Sequence, residues 1–213
     1  MHLNGRIAPV VLRLDGLCLR YAQRVVFEQF STQISPGVTW VQGGDGRGKT
    51  TLLRVLAGAV QGAAGVLQVN GVSLAAQPQA YLQQVFWADS SATEWEQTTA
   101  LGYFNSLVPR YPHWDAPLLC ELIAGLSLTP HTEKPMYMLS TGSKRKVWLA
   151  AAFASGAAVT LLDEPFAALD KASIGFVLEL LQDAADHPTR AWVVADYAAP
   201  AQVPLVSVIA LGG

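Results

Sequence analysis

Residues 43–50 read GGDGRGKT, with four glycines among six positions and then a lysine and a threonine. Glycine lets the backbone turn successive N–H groups toward an anion, and GxxxxGK[ST] is the spacing that encloses a nucleotide's phosphates. In that arrangement Lys49 meets the β and γ phosphates and Thr50 binds magnesium. The candidate binding segment is therefore Gly43, Gly44, Asp45, Gly46, Arg47, Gly48, Lys49, Thr50 and Thr51. A glycine-rich surface turn is the plain alternative. A second element carries carboxylates: AVTLLDEPFAALD, residues 158–170, ends an apolar run with Asp163 and Glu164. An aspartate at the C-terminal end of a strand beside such a loop can hold hydrated magnesium, and the next glutamate can polarise a water for in-line attack. Lys49 and Glu164 are the candidate catalytic residues, and Thr50 and Asp163 the candidate metal ligands. A strand-terminating acidic turn is the competing reading of the second motif.

The elements that must position these residues are legible around them. The loop follows the apolar VTWV and precedes the helix-like TTLLRVLAGA, the context a phosphate cradle requires, because a helix N-terminus presents roughly half a positive charge to the anion. Short alternating segments from Val10 to Val41, separated by turn signals such as Asp15-Gly16 and Pro36-Gly37, predict an antiparallel sheet, and GVLQVNG at 65–71 adds a strand before an Asn-Gly turn. From about Thr93 to Ala154 helical spacing is broken at Pro109, Pro112, Pro130 and Pro135, which predicts several helices joined by proline-bearing loops. The last third alternates a strand AVTLL, a helix over about 171–185, a strand AWVVA and a final PLVSVIAL. Continuous apolar strands alternating with helices imply a parallel sheet covered on both faces, so the fold class is α/β.

Composition sets limits. The chain of 213 residues is 51% hydrophobic and 14% charged, which predicts a face that a partner covers. Its net charge of −2, without a basic block, argues against a nucleic-acid partner. Cys18 and Cys120 are too few for a disulfide framework or a zinc site and read as small core residues in a reducing compartment. No signal peptide is expected, and no run is long enough for a membrane span; the alanine-rich 149–162 reads as a buried helix entering a buried strand.

GGDGRGKTT, LSTGSKRK (139–146), LLDEP and ALD occur in the order and approximate spacing of the ATP-binding cassette family, the nucleotide-binding subunits of ABC transporters, which this chain resembles over nearly its whole length. The resemblance implies one P-loop NTPase domain with a RecA-like core, an antiparallel β-subdomain at about 10–70 and a helical subdomain inserted at about 90–155. It also implies Mg2+ and ATP as cofactors and a head-to-tail dimer, with itself or a related cassette subunit. In that dimer Ser140 and Gly142 reach the γ-phosphate bound by the opposite chain, through a hydroxyl and an N–H at a helix N-terminus. Ser140 as the cap of a basic helix start is the plain alternative, and capping is compatible with phosphate contact. Tyr21 matches the family's adenine-stacking aromatic, or is a half-exposed strand tyrosine. Asp170 matches a dimer-facing aspartate, or caps the helix beginning at Lys171. The implied partners are integral membrane subunits that hold the chain at the cytoplasmic face of the cell membrane. The aromatics Trp87, Trp95, Tyr103, Phe104, Tyr111 and Trp114 would either line a groove for a short helix of those subunits or form the helical region's own core.

Apart from Asp45, which stands where the family commonly has asparagine and adds a negative charge near phosphate beside Arg47, the chain departs from the family twice. Where a glutamine usually follows the strand at VFWA stands Asp89 or Ser90, and where a histidine usually follows WVVA stands Asp196. An ionised aspartate can only accept hydrogen bonds, and two like charges about 4 Å apart repel by ~4 kcal/mol at an effective dielectric of 20. Asp196 must be protonated, turned away, or tolerated at a cost in rate, and Tyr197 beside it offers a donor. The expected function is an ATPase subunit that couples nucleotide binding and slow hydrolysis to movement of membrane subunits. The alternative is a regulatory or assembly subunit with little or no turnover.

Overall fold

The computed structural model describes residues 9–21, 24–89 and 92–212. The strands β1 (Leu12–Tyr21) and β2 (Arg24–Ile34) pair antiparallel. The next strand, β3 (Gly37–Gln42), leaves them for a second sheet and passes through the glycine loop into α1 (Lys49–Leu56). The chain then returns as β4 (Ala64–Val69) and β5 (Val72–Ser73), completing a four-stranded antiparallel sheet in the order β2-β1-β4-β5. After α2 (Pro78–Leu82) come β6 (Val85–Trp87), three helices α3 (Ala100–Leu107), α4 (Ala116–Gly125) and α5 (Thr141–Ala154), then β7 (Val159–Asp163), α6 (Lys171–Ala185), β8 (Ala191–Ala195) and β9 (Ser207–Ala210). The second sheet is parallel with order β6-β7-β8-β3-β9.

The apolar β8, and β7, which is apolar but for Thr160 and its terminal Asp163, lie buried between helices, as a parallel sheet demands, with Val159, Val193 and Ala195 fully covered. One core cluster joins the sheet's Trp40, Phe86 and Val194 to Phe104, Leu122 and Val147 of α3, α4 and α5. The other packs β1 and β2 over α1, with Leu12, Ile34, Leu52 and Leu56 at its centre. Two buried tyrosines satisfy their hydroxyls on backbone carbonyls, Tyr81 on Leu56 (2.6 Å) and Tyr111 on Val85 (3.1 Å), which lets their rings act as core. The helix starts are capped by side chains, Thr99 for α3, Asp115 for α4, Ser140 for α5 and Asp170 for α6, each accepting a first-turn N–H. Among the described residues no helix is long and apolar enough to cross a membrane.

Three local expectations are corrected. Asp15-Gly16 is no turn: β1 runs through it with a bulge, where Gly16 adopts φ 62° and donates its N–H to Ser31 Oγ at 2.9 Å. The antiparallel sheet does not extend to Val41, because Gly37–Val41, apolar but for Thr39, is buried throughout and finds that environment between β8 and β9. The cysteines are not core residues. Cys120 is exposed on α4, and the half-buried Cys18 accepts the N–H of Gln29 at 3.4 Å. The Asn70-Gly71 turn is as expected, with φ 49° and 78° at its two positions joining β4 to β5.

Candidate functional site

Parallel register assembles the site. Val41 and Asp163 both pair with Ala195, so the glycine loop, the Asp163-Glu164 pair and Asp196 leave their strands at one edge. In the loop, Gly46 and Gly48 adopt φ 67° and 96°, values that favour glycine. A side chain on Gly48 would press on Val26 and Phe27 at 3.2 and 3.3 Å, whereas Gly46 faces open space. No side chain caps α1, so its first N–H groups remain donors for an anion. Lys49 is 8% exposed and curls over the loop, donating to the carbonyls of Gly43 (2.6 Å) and Gly44 (3.2 Å).

The loop forms one wall of a cleft of about 400 Å³, in which Asp45 through Thr51 face Tyr21, Arg24 and Val26 across the opening, with Glu164 at one side. Tyr21 is half exposed there, placed for a ring to stack on its open face. Arg24 and Val26 were not singled out in the sequence. Arg24 donates from Nη2 to the Gly46 carbonyl at 2.6 Å, tying β2 to the tip of the loop. The only hint was a basic residue at the start of a strand, which carries no signal without the fold.

Asp163 accepts a hydrogen bond from the Thr50 side chain. Its carboxyl is held above the usual carboxylate range by burial, reinforced by the neighbouring Glu164 charge and opposed by Thr50, Arg145 and Lys49. Its Oδ1 is buried without a hydrogen-bond partner. An orphaned carboxylate oxygen beside a hydroxyl is the donor set a hard divalent cation prefers, so these residues fit magnesium. Glu164 is exposed, with φ 45°, and its N–H is fixed on the Ala195 carbonyl at 2.8 Å.

Ser140 and Gly142 do not line this cleft. Ser140 accepts the Ser143 N–H at 3.1 Å as the cap of α5, and a side chain on Gly142 would meet the Ala168 carbonyl at 2.4 Å. Asp170 caps α6 through the Ser173 N–H at 2.9 Å and pairs with Lys146 at 2.6 Å, which together hold its carboxyl well below the usual range. Asp89 lies 3.3 Å from Arg54, and Ser90 falls outside the described residues. Asp196 turns Oδ1 onto the N–H of Tyr197 at 2.6 Å, while the exposed Tyr197 ring has Lys49 Nζ 6.0 Å from its centroid.

A glycine loop between a parallel strand and a helix, faced by a strand-end Asp-Glu pair, defines the chain as a P-loop NTPase. Its family is narrower: the ABC transporter family profile matches residues 27–167, about two thirds of the chain, and the protein belongs to that family as an ATP-binding subunit. It is 32% identical to the cytochrome c biogenesis ATP-binding export protein of Pseudomonas savastanoi pv. phaseolicola, over 78% of this chain and 79% of that protein. The protein of the same name from Rhodospirillum rubrum is 33% identical over 78% of this chain and 71% of its own length. A solved ATP-binding subunit of an ABC transporter superposes with TM-score 0.78 at 22% identity, covering 87% of this chain and 79% of that one, which is a likeness of fold. The α/β P-loop architecture and the family resemblance read from the four motifs are thereby borne out.

Proposed function

We propose that the chain binds Mg-ATP in the cleft between Tyr21 and the glycine loop, hydrolyses it, and drives a membrane complex in an export step of cytochrome c biogenesis, the process for which its relatives are named as ATP-binding export proteins. The observation that carries this reading is Asp163, whose orphaned, desolvated carboxylate lies in hydrogen-bond contact with Thr50 behind the loop. Loop amides and Lys49 hold the phosphates, and Lys49 exchanges the Gly43 and Gly44 carbonyls for phosphate oxygens. Thr50 and Asp163 would hold magnesium, which would supply neutralisation of the negative charge that develops on the phosphates. Glu164 accepts a proton from the attacking water. Tyr21 stacks on adenine. Ser140 and Gly142, away from the cleft in one chain, serve the cleft of a second chain packed head to tail.

The helical region, about 90–155, is the proposed contact with the membrane subunits at the cytoplasmic face. Tyr103, Phe104 and Tyr111 are core, while Trp87 and Trp95 are only partly buried and line a cleft of about 280 Å³ with Asp89, Glu94 and Arg110, suited to a short helix. Asp196, whose carboxylate engages its neighbour's N–H, weakens the electrostatic objection that favoured a subunit without turnover. Nucleotide binding measured by calorimetry should be lost in Lys49→Ala and kept in Glu164→Gln, while phosphate release by the membrane complex should fall by roughly 10²-fold or more in both. Retained binding in Lys49→Ala would overturn the reading.

A further inference from the structure

The basic triplet after the cap of α5 is fully engaged. Lys144 pairs with Glu96 at 2.6 Å and Lys146 with Asp170 at 2.6 Å. Between them, Arg145 donates from Nη1 to two successive backbone carbonyls, those of Asp163 (3.1 Å) and Glu164 (2.6 Å). We propose that Arg145 is a positioning residue for the Asp163-Glu164 pair, fastening the turn that carries both carboxylates to the helix headed by Ser140 and Gly142.

The turn needs such a fastening. Glu164 and Ala168 are non-glycine residues at φ 45° and 60°, a left-handed conformation that persists only where the surroundings impose it. On one side, the Glu164 N–H is held by the Ala195 carbonyl at 2.8 Å. On the other, its carbonyl accepts the Ala167 N–H within the turn at 3.1 Å and, from outside the turn, the Arg145 guanidinium, through a charge-assisted bond of the stronger class. The far end of the same turn rests on α5 too, since Gly142 sits so close to Ala168 that a Cβ would meet its carbonyl at 2.4 Å. Helix α5 thus grips the segment at Glu164, Ala168 and Asp170 from residues 145, 142 and 146. Arg145 makes these contacts although its Nε is buried without a hydrogen-bond partner, a cost that solvent-facing alternatives would avoid. The guanidinium also places a fixed positive charge beside Asp163, where burial otherwise disfavours the carboxylate. A side chain aimed into solvent at this position would leave the Glu164 carbonyl with only the Ala167 N–H of its own turn, at 3.1 Å, and no tie to α5.

This inference rests on the ATPase reading for its kinetic arm only. Hydrogen exchange of residues 163–170 should quicken by roughly tenfold in Arg145→Met, with exchange in α1 unchanged. In the membrane complex, phosphate release should fall about 10- to 100-fold in Arg145→Met, with KM for ATP within about twofold of wild type, because the phosphate cradle is untouched. Arg145→Lys, which keeps one cationic donor, should recover part of both losses, and it stands in for the methionine variant should that one fail to fold. Wild-type exchange at 163–170 in the variants, or turnover lost only in parallel with ATP affinity, would overturn the proposal. A wild-type complex whose phosphate release equals that of Glu164→Gln would sink the ATPase reading instead, leaving the exchange experiment to decide on Arg145.

Discussion

Two neighbouring parallel strands each deliver an aspartate at the C-terminal end, Asp163 as the last residue of β7 and Asp196 one residue beyond β8, and the two carboxylates have different fates. Asp163 turns toward Thr50 and keeps one buried oxygen unpartnered, held above its ordinary range by burial. Asp196, one strand over, bends back and accepts the N–H of the next residue at 2.6 Å. A carboxylate at the C-terminal end of a parallel strand is therefore not in itself a metal ligand. What decides is whether the local backbone offers it a donor. Asp196 finds the Tyr197 N–H, while after Asp163 the next N–H, that of Glu164, is already taken by Ala195 across the sheet.

The sharpest test sets the two strand ends against each other in turnover. Glu164→Gln should lower phosphate release by roughly 10²- to 10⁴-fold, the usual worth of a general base, whereas Asp196→Asn should change it by less than about threefold. A large loss in Asp196→Asn would break the comparison. Asp196→His, which introduces a donor in place of the turned-away carboxylate, should raise turnover about fivefold, the worth of one hydrogen bond of about 1 kcal/mol. A rapid wild type that the histidine fails to improve would remove the rationale for slow hydrolysis.

Stability should separate the strand ends more gently. Because the folded pKa of Asp163 is raised, the native state binds its proton more tightly than the unfolded chain. The stabilisation this provides is present below the ordinary carboxylate value and is lost as pH rises through the folded value, so at neutral pH the charge is a burden. Asp163→Asn should stabilise the nucleotide-free protein by about 0.5–1 kcal/mol after allowance for solvent screening, seen as a higher Tm, and should abolish any further gain from magnesium. The smallest effect comes from the loop leading into β8. Neutral His187 accepts the N–H groups of Thr189 (3.2 Å) and Arg190 (3.0 Å), and burial with the nearby Arg190 charge lowers its pKa. Its contribution is full above about 6.5 and lost as pH falls through the folded value, a loss of a few tenths of a kcal/mol that His187→Asn should remove from a pH series of Tm.

Much of this arrangement was legible before the fold was known, for reasons particular to each segment. The helix at about 171–185 and the strand AWVVA are legible because period, length and a capping aspartate agree there, and they stand as Lys171–Ala185 and Ala191–Ala195. The Asp15-Gly16 pair misled because a glycine at positive φ serves a bulge as well as a turn, and only the neighbouring strand decides between them. Arg24 and Arg145 were invisible as site residues because both act through backbone carbonyls far away in sequence, and a carbonyl has no letter in the code.

The amino-acid order alone determined the loop, the strand-end carboxylates, the capping residues and the family, since each rests on chemistry contained within about a dozen neighbouring residues. Only the tertiary structure decided that one oxygen of Asp163 stays unpartnered while Asp196 turns aside, that Ser140 and Gly142 lie away from the cleft of their own chain, and that one arginine ties their helix to the carboxylate turn. Those outcomes depend on which backbone groups lie across a sheet or beneath a helix, and distance in space between such groups is set by packing rather than by sequence separation.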